Sequence, residues 1–351
     1  MFKGDGLVFV GPSQCEVEVV ELSPDDLGPG ELIIENEWSV ISAGTEVANF
    51  TGLDPGTVTP GSWNFYPWRP GYGSVGRVVC LGPSIATEGQ YRLGDRVFAI
   101  GPHARFAKVA PDWRPVVRIG EEDDGQQMVL GRMASVSITA LRKASRVCVG
   151  GSVLVIGLGL VGNFCAQLFR VAGMQTVGTD VSAYRVRMAR ETGTRAELVP
   201  KNASKDTVLR SLGLEERPDI VVEASGVPGT VPLAVSLARD DGEVILLGSP
   251  RGAFAGDATM MLSEVHHRGL HLIGALEWLL PLRSGPWQAR WSLYDDYSVL
   301  FDMLRQGRLS TTGLITDVVA PKDAAHIYTE LAHRGSEMGA VIFDWGQAGP
   351  A

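Results

Sequence analysis

The chain has 351 residues, about two domains at roughly 150 residues each, and 45% of them are hydrophobic, which is enough to build a core in both. Lys and Arg total 31 against 40 Asp and Glu, a formal charge of −9, so the surface field repels phosphate backbones and anionic lipid and excludes nucleic acid and membrane as natural partners. Glycine makes up 43 residues, about 12% against a usual ~7%, with no collagen period, which points to tight turns and close backbone approach.

Residues 1 to about 115 are short apolar runs, LVFV, EVEVVEL, ELIIENEWSVIS, SVGRVVCLG, DRVFAI and FAKVA, broken by Gly, Pro and Asp, a β-rich texture. Within it, Gly52 to Pro70 has neither helix nor strand period but is rich in Pro and aromatic residues, and is expected to be an ordered, functional loop. From about Gln126, QQMVLGRMASVSITALRKASRV predicts helix. The segments VLVIG, QTVGTD, DIVVEASG, EVILLGS and LHLIGAL then alternate with helical stretches, as a parallel sheet covered on both faces requires. After about Pro281, a loop with Trp287 and Trp291 precedes helix YSVLFDMLRQGRL, strand ITDVVA, helix KDAAHIYTELAHR and strand AVIFDW. The expected fold class is α/β: a β-rich domain over 1–134, a doubly wound domain over 135–283, and a return to the first over 284–351. The four cysteines, Cys15, Cys80, Cys148 and Cys165, form no Cys-x-x-Cys pair. With no charged leader and no apolar run of ~18 residues, the chain reads as soluble and cytoplasmic.

Gly157, Gly159 and Gly162 form G-x-G-x-x-G between the strand VLVI and an amphipathic helix, the setting a dinucleotide turn needs. Gly157 permits the tight turn, Gly159 lets the backbone approach a pyrophosphate, and Gly162 allows close helix–strand packing. The amides of Leu160 and Val161 would donate at the helix N-terminus. Asp180 closes the next strand, where a carboxylate accepts from both ribose hydroxyls and repels a 2′-phosphate. NAD is therefore the expected cofactor, with Arg185 nearby keeping NADP open. Ser225-Gly226 and Gly248-Ser249 lie at further strand ends and are either cofactor contacts or ordinary turns. His266, His267 and His271 have no acid or thiol partner at metal-binding spacing.

In this order of parts the chain resembles the medium-chain dehydrogenase/reductase superfamily, zinc-type alcohol dehydrogenase-like: a GroES-like domain, a Rossmann domain and a carboxyl-terminal return. EWSVISAGTE, the stretch ending YPWRPGYGSVGRVV, ITDVV and VIFDW are most similar to the branch that includes bacteriochlorophyllide a dehydrogenase. Relatives with catalytic zinc have Cys-Gly-Thr-Asp where this chain has Ala43-Gly44-Thr45-Glu46, and Gly-His-Glu where it has Gly71-Tyr72-Gly73. The third ligand region, Ala134-Ser135, also lacks a donor, as does the structural-zinc lobe, so no metal is expected.

The resemblance then implies a metal-independent, NAD(H)-dependent alcohol dehydrogenase or ketone reductase for an activated, cyclic or polyol-like secondary alcohol. The nicotinamide would lie against Thr139 and the Gly248-Ser249 turn. Tyr72 is either the donor to the reacting oxygen or a plug in the old metal cavity. Thr45 is either a hydroxyl relay or a turn cap, and Glu46 either a base or holding residue or the first-turn acid of a short helix. His103 is either solvated or a substrate and proton-relay residue. Trp63, Tyr66 and Trp68, with Phe65, either cluster locally or wall the substrate pocket. Reduction of a conjugated C=C bond and NAD(H) binding without turnover stand as alternatives. A homo-oligomer, dimer or tetramer, paired through LHLIGAL is implied by the resemblance. The run from Glu277 to Trp291 has no assigned role.

Overall fold

A computed structural model describes residues 1–285 and 291–347; Trp287 and the middle of the 277–291 run lie outside the described residues. The chain divides into two compact units, one of Met1–Arg132, Pro281–Arg305 and Ile315–Ala351, the other of Met133–Leu280 and Gln306–Leu314.

In the first unit, β1 (Phe2–Gly11) and β2 (Gln14–Leu22) pair as an antiparallel ribbon. β3 (Leu32–Val40) leads into the eight-residue helix α1 (Ala43–Phe50), and β4 (Gly73–Leu81) follows the long loop. α2 (Pro83–Glu88), β5 (Arg96–Ala99), β6 (Phe106–Val109), β7 (Val116–Arg118) and α3 (Gly125–Val129) complete its first part. α4 (Gly131–Lys143) begins in this unit and runs into the next; the helix expected from Gln126 is interrupted at Leu130.

The second unit carries β8 (Ser152–Ile156), α5 (Leu160–Val171), β9 (Gln175–Asp180), α6 (Ala183–Glu191), β10 (Arg195–Leu198), α7 (Lys205–Leu212), β11 (Ile220–Glu223), α8 (Val231–Leu237), β12 (Glu243–Leu246), α9 (Ala258–Arg268) and β13 (His271–Gly274). All six strands are parallel, in the order β10-β9-β8-β11-β12-β13. The unbroken apolar strands follow from two-sided burial. Val153 and Val155 of β8 enter one core with Cys165, Ala166 and Phe169 of α5, while Leu154 and Ile156 enter the other with Val208 and Leu212 of α7 and Ala234 and Val235 of α8. Each such Val or Leu side chain contributes about 1.5–3 kcal/mol by leaving water. Because β8 is flanked by β9 on one side and β11 on the other, the chain reverses direction across the sheet at its carboxyl end, where open α/β sheets bind ligands.

The chain then returns to the first unit with α10 (Leu293–Arg305), β14 (Ile315–Val319), α11 (Ala324–Arg334) and β15 (Ala340–Asp344). β15 pairs antiparallel with β3, giving the sheet order β14-β15-β3-β4-β5-β7 with β6 also paired to β3. Phe9, Phe50, Tyr328, Phe343 and Trp345 form an aromatic core under this sheet.

Candidate nucleotide and catalytic sites

In the second unit the three glycines have three separable physical requirements. Gly157 has φ +90°, a left-handed conformation that side chains resist, and a Cβ there would lie 2.7 Å from the Ser225 nitrogen. A Cβ on Gly162 would lie 1.8 Å from the Gly157 carbonyl oxygen, so α5 can start only without one. Gly159 is different: the nearest atom to its Cβ would be Arg185 Cζ at 3.9 Å, leaving space above the helix N-terminus for an incoming group. Asp180, 5% exposed at the end of β9, braces this turn. Its Oδ2 accepts from the Leu158 amide at 2.7 Å and its Oδ1 from the Ser182 amide at 2.8 Å, while Arg185 Nη1 lies 3.9 Å from Oδ2. Two of the carboxylate's acceptor positions are thus taken by backbone, and a guanidinium stands beside it.

The neighbouring strand ends converge on the same turn. Glu223, 1% exposed, accepts from the Ser225 amide at 2.9 Å and the Thr230 hydroxyl at 2.8 Å, and also from the Ser225 hydroxyl. A Cβ on Gly248 would lie 2.3 Å from the Gly226 nitrogen, so these two turns interlock, while Ser225 and Ser249 stay exposed. Thr139 is fully buried and its hydroxyl donates back to the Ser135 carbonyl of α4 at 3.4 Å, while Ser137 of the same helix donates to the Val161 carbonyl at 2.7 Å and so ties α4 to the start of α5. Ser135 in turn donates to Glu277, a buried carboxylate, at 2.7 Å.

In the first unit the proposed catalytic residues divide. Thr45 is half-buried on α1 and Tyr72 half-buried just before β4. Glu46 and His103 are 1% and 0% exposed and bonded to each other, Nε2 to Oε2, at 3.0 Å. His103 Nδ1 pairs with Ser39 Oγ at 2.8 Å, which also accepts from the Trp345 indole N–H at 2.9 Å. Glu46 Oε1 accepts from the Ser42 amide at 2.8 Å, and its Oε2 also accepts from the Tyr328 hydroxyl. Burial, with the Glu46 charge second, drives the Tyr328 phenol well above its ordinary range. The same order of causes pushes the Cys15 thiol up to about 12. Glu46 is the first-turn acid of α1, and its carboxylate is fully engaged in holding its neighbours. His103 is not solvated and uses both ring nitrogens internally.

This network fixes the segments around Tyr72. The His103 amide donates to the Pro70 carbonyl at 2.7 Å, and a Cβ on Gly71 would lie 2.3 Å from Pro102 Cα, so the 70–73 turn is pressed against the loop that holds His103. Tyr72 lies against Arg132, whose Cζ is 3.9 Å from the ring centroid. The aromatic loop is ordered and anchored to its own unit: Tyr66 donates to the Asn49 carbonyl, Asn64 Nδ2 donates to Asn49 Oδ1 at 2.9 Å, and Trp68 exchanges backbone bonds with Phe9 at 2.7 and 2.9 Å. Tyr66 and Trp68 belong to this local cluster, whereas Trp63 is 67% exposed and touches Trp68 edge-on at 5.5 Å. Ser39, Arg132, Tyr328 and Trp345 were not legible as site residues. Their only sequence signal was that a buried Tyr or Trp tip and a buried Arg need partners.

Zinc does not fit these residues. The positions that the family resemblance assigns to zinc ligands hold an alanine, a tyrosine lying on a guanidinium, and Ala134-Ser135, while His103 has both nitrogens engaged. Among the described residues no group of three or more His, Cys, Asp or Glu is placed to hold a metal ion. Among the same residues no helix is long and apolar enough to cross a membrane.

Residues 161–282 match the family model described as zinc-binding dehydrogenase. L-threonine 3-dehydrogenase of Shewanella baltica is 38% identical over 128 residues, 36% of each chain, so the chain matches only about a third of the length of these curated relatives. Galactitol-1-phosphate dehydrogenase from Escherichia coli superimposes with a TM-score of 0.79 at 17% identity, over 97% of this chain and 99% of that one. A zinc-binding dehydrogenase from Sinorhizobium meliloti 1021, described as putative and bound to NADP, gives 0.77 at 20% identity over 98% and 100%.

Proposed function

We propose, from the premise that this chain has the medium-chain dehydrogenase fold and carries a zinc-binding dehydrogenase domain over residues 161–282, that it is a metal-independent, NAD(H)-dependent dehydrogenase/reductase acting on a secondary alcohol or its ketone. The observation that carries this reading is the pairing of a complete dinucleotide turn in one unit with a catalytic unit whose zinc positions hold Ala43 and Tyr72.

NAD(H), when bound, supplies the hydride acceptor or donor. The chain's part is to hold it and to manage the proton. The open face above Gly159, with the amides of Leu160 and Val161, receives the pyrophosphate, and the remaining acceptor capacity of Asp180 meets the ribose hydroxyls. Ser225, Gly226, Gly248 and Ser249 line the adjoining strand ends. Tyr72 donates to the reacting oxygen: it gives its proton to a ketone oxygen as negative charge develops there, and takes a proton back when an alcohol is oxidised. Thr45 relays that proton, and Glu46 with His103 holds α1 and the 70–73 turn in place. Trp63, with Phe65, stands exposed as an aromatic available to a ring-shaped substrate.

Without a Lewis acid, the substrate must be activated, which favours a cyclic or polyol-like secondary alcohol. Four unpaired cysteines suit a reducing cytoplasm. The edge strand β13 leaves Leu272 and the following Leu276, Trp278 and Leu279 at 41–67% exposure, which supports a homo-oligomer covering that edge.

The test is absorbance at 340 nm with a chelator present, across secondary alcohols and polyols with NAD and across ketones and enones with NADH. Chelator-resistant alcohol oxidation or ketone reduction is expected. Turnover confined to enones reassigns the protein as a C=C reductase, and silence on every substrate with tight NADH binding reassigns it as a nucleotide-binding protein without turnover.

A further inference from the structure

Arg132 is a fully buried cation that touches a residue of the proposed chemistry. Guanidinium groups are almost never buried this completely unless the surroundings are built for them. Three features define those surroundings. The Tyr72 ring covers the guanidinium at 3.9 Å, centroid to Cζ. On another side Nη1 donates to the Tyr297 hydroxyl at 3.4 Å, and Tyr297 is itself fully buried and packed on Phe98 at 4.8 Å between ring centroids. Finally, a Cβ on Gly73 would lie 2.7 Å from Arg132 Cβ, so the residue next to Tyr72 has to be glycine for the arginine to enter. Charged or titratable groups on the packed elements include Asp296, buried beside Tyr297 on α10, Tyr294, Asp295, Asp302 and Arg305 elsewhere on that helix, and His103 on the loop against Gly71.

Being wholly buried, Arg132 does not touch a substrate, so any effect it has on the reaction passes through Tyr72. We propose that Arg132 is a positioning residue that holds the Tyr72 ring and places a fixed positive charge against its face, stabilising the phenol oxygen as it gives up its proton. A cation over an aromatic face is attracted by the ring quadrupole, and more strongly by a phenolate than by a phenol. In a desolvated setting an electrostatic contact of this kind is stronger than it is in water. This rests on the reading of Tyr72 as the donor to the reacting oxygen, and gives the chain a built-in cation where its zinc-using relatives employ a metal.

The test is an ultraviolet difference titration at 295 nm of the full chain, with Tyr72→Phe subtracted from wild type to isolate Tyr72. Burial drives Tyr91 and Tyr328 far upward and out of the window. Tyr72 is expected to ionise below the ordinary tyrosine value of about 10. In Arg132→Met its midpoint rises by about one pH unit or more, the alkaline limit of ketone reduction moves up with it, and kcat falls about tenfold while NADH affinity holds. Arg132→Lys, which keeps the charge, restores part of both. A Tyr72 midpoint unmoved in Arg132→Met leaves Arg132 a packing residue and overturns the proposal. Should Arg132→Met fail to fold, a wild-type Tyr72 midpoint at or above about 10 overturns it alone. Full activity in Tyr72→Phe removes the donor role beneath it, and the proposal with it.

Discussion

The nucleotide turn and the Glu46 network are both buried polar constructions, and they are assembled in opposite ways. The turn is made by backbone: Gly157, Gly159 and Gly162 lie within six residues of one another, and Asp180, the acid that braces them, comes from the very next strand. The network is made by side chains from distant parts of the chain: Tyr328 meets Glu46 across 282 residues, and Trp345 meets Ser39 across 306. Backbone constructions of the first kind tolerate no added atom at their packed positions, Gly157 and Gly162, but need little from the rest of the fold. Those of the second kind tolerate conservative swaps yet depend on the whole unit closing.

The largest effect should come from the turn. Gly162→Val drives a side chain into the Gly157 carbonyl, 1.8 Å from where its Cβ would start, and is expected to abolish dinucleotide binding by NADH fluorescence titration. Gly159→Ala sharpens the contrast: its Cβ has room, so the melting temperature should stay within about 2 °C of wild type while NADH affinity falls about tenfold. Equal damage from both would mean that Gly159 serves packing rather than ligand approach.

In the network, Glu46→Ala strands His103 and Tyr328 in the core and is expected to cost about 3 kcal/mol in urea unfolding, with Tyr328→Phe costing about 1–2 kcal/mol. A cost below about 0.5 kcal/mol for Glu46→Ala would show that the network stores little stability. Asp180→Ala is expected to weaken NADH binding about tenfold and to narrow the preference for NAD over NADP, because Arg185 then faces the ribose without its carboxylate; unchanged selectivity would remove the ribose role.

The smallest effect concerns a surface bridge. The Arg305 guanidinium, 2.8 Å from Asp123, is the main cause holding that carboxyl below its ordinary range. Its contribution is present above the unfolded carboxyl value of about 4 and is lost as pH falls through the lowered native value. Asp123→Asn should therefore cost about 1 kcal/mol at pH 7, discounted for the part-exposed arginine, and the gap to wild type should close in acid. A gap that persists at pH 2 would assign the effect to the Gly120 amide bond instead.

Much of the fold was legible because its signals are local. The apolar strands, the change of texture near Gln126 and the return segment predict a β-rich part and a parallel-sheet part, and the glycine spacing predicts the turn. Other features depended on distant partners. His103 read equally well as a solvated loop residue because Ser39 and Glu46 are 64 and 57 residues away. The bond from the Thr139 hydroxyl to the Ser135 carbonyl of its own helix carried no signal beyond the burial of that helix. Arg132 gave no sign in GRMAS that it would be buried beneath Tyr72.

By itself the sequence determined the doubly wound unit and the glycine turn at the end of its first strand, since each depends on backbone freedom or strand periodicity. Only the tertiary structure decided that the Glu46 carboxylate meets Ser42, His103 and Tyr328, that His103 is sealed, and that a guanidinium lies on the Tyr72 ring. Desolvation and hydrogen bonding set the chemistry of a polar side chain, and both are properties of whatever the rest of the chain packs around it.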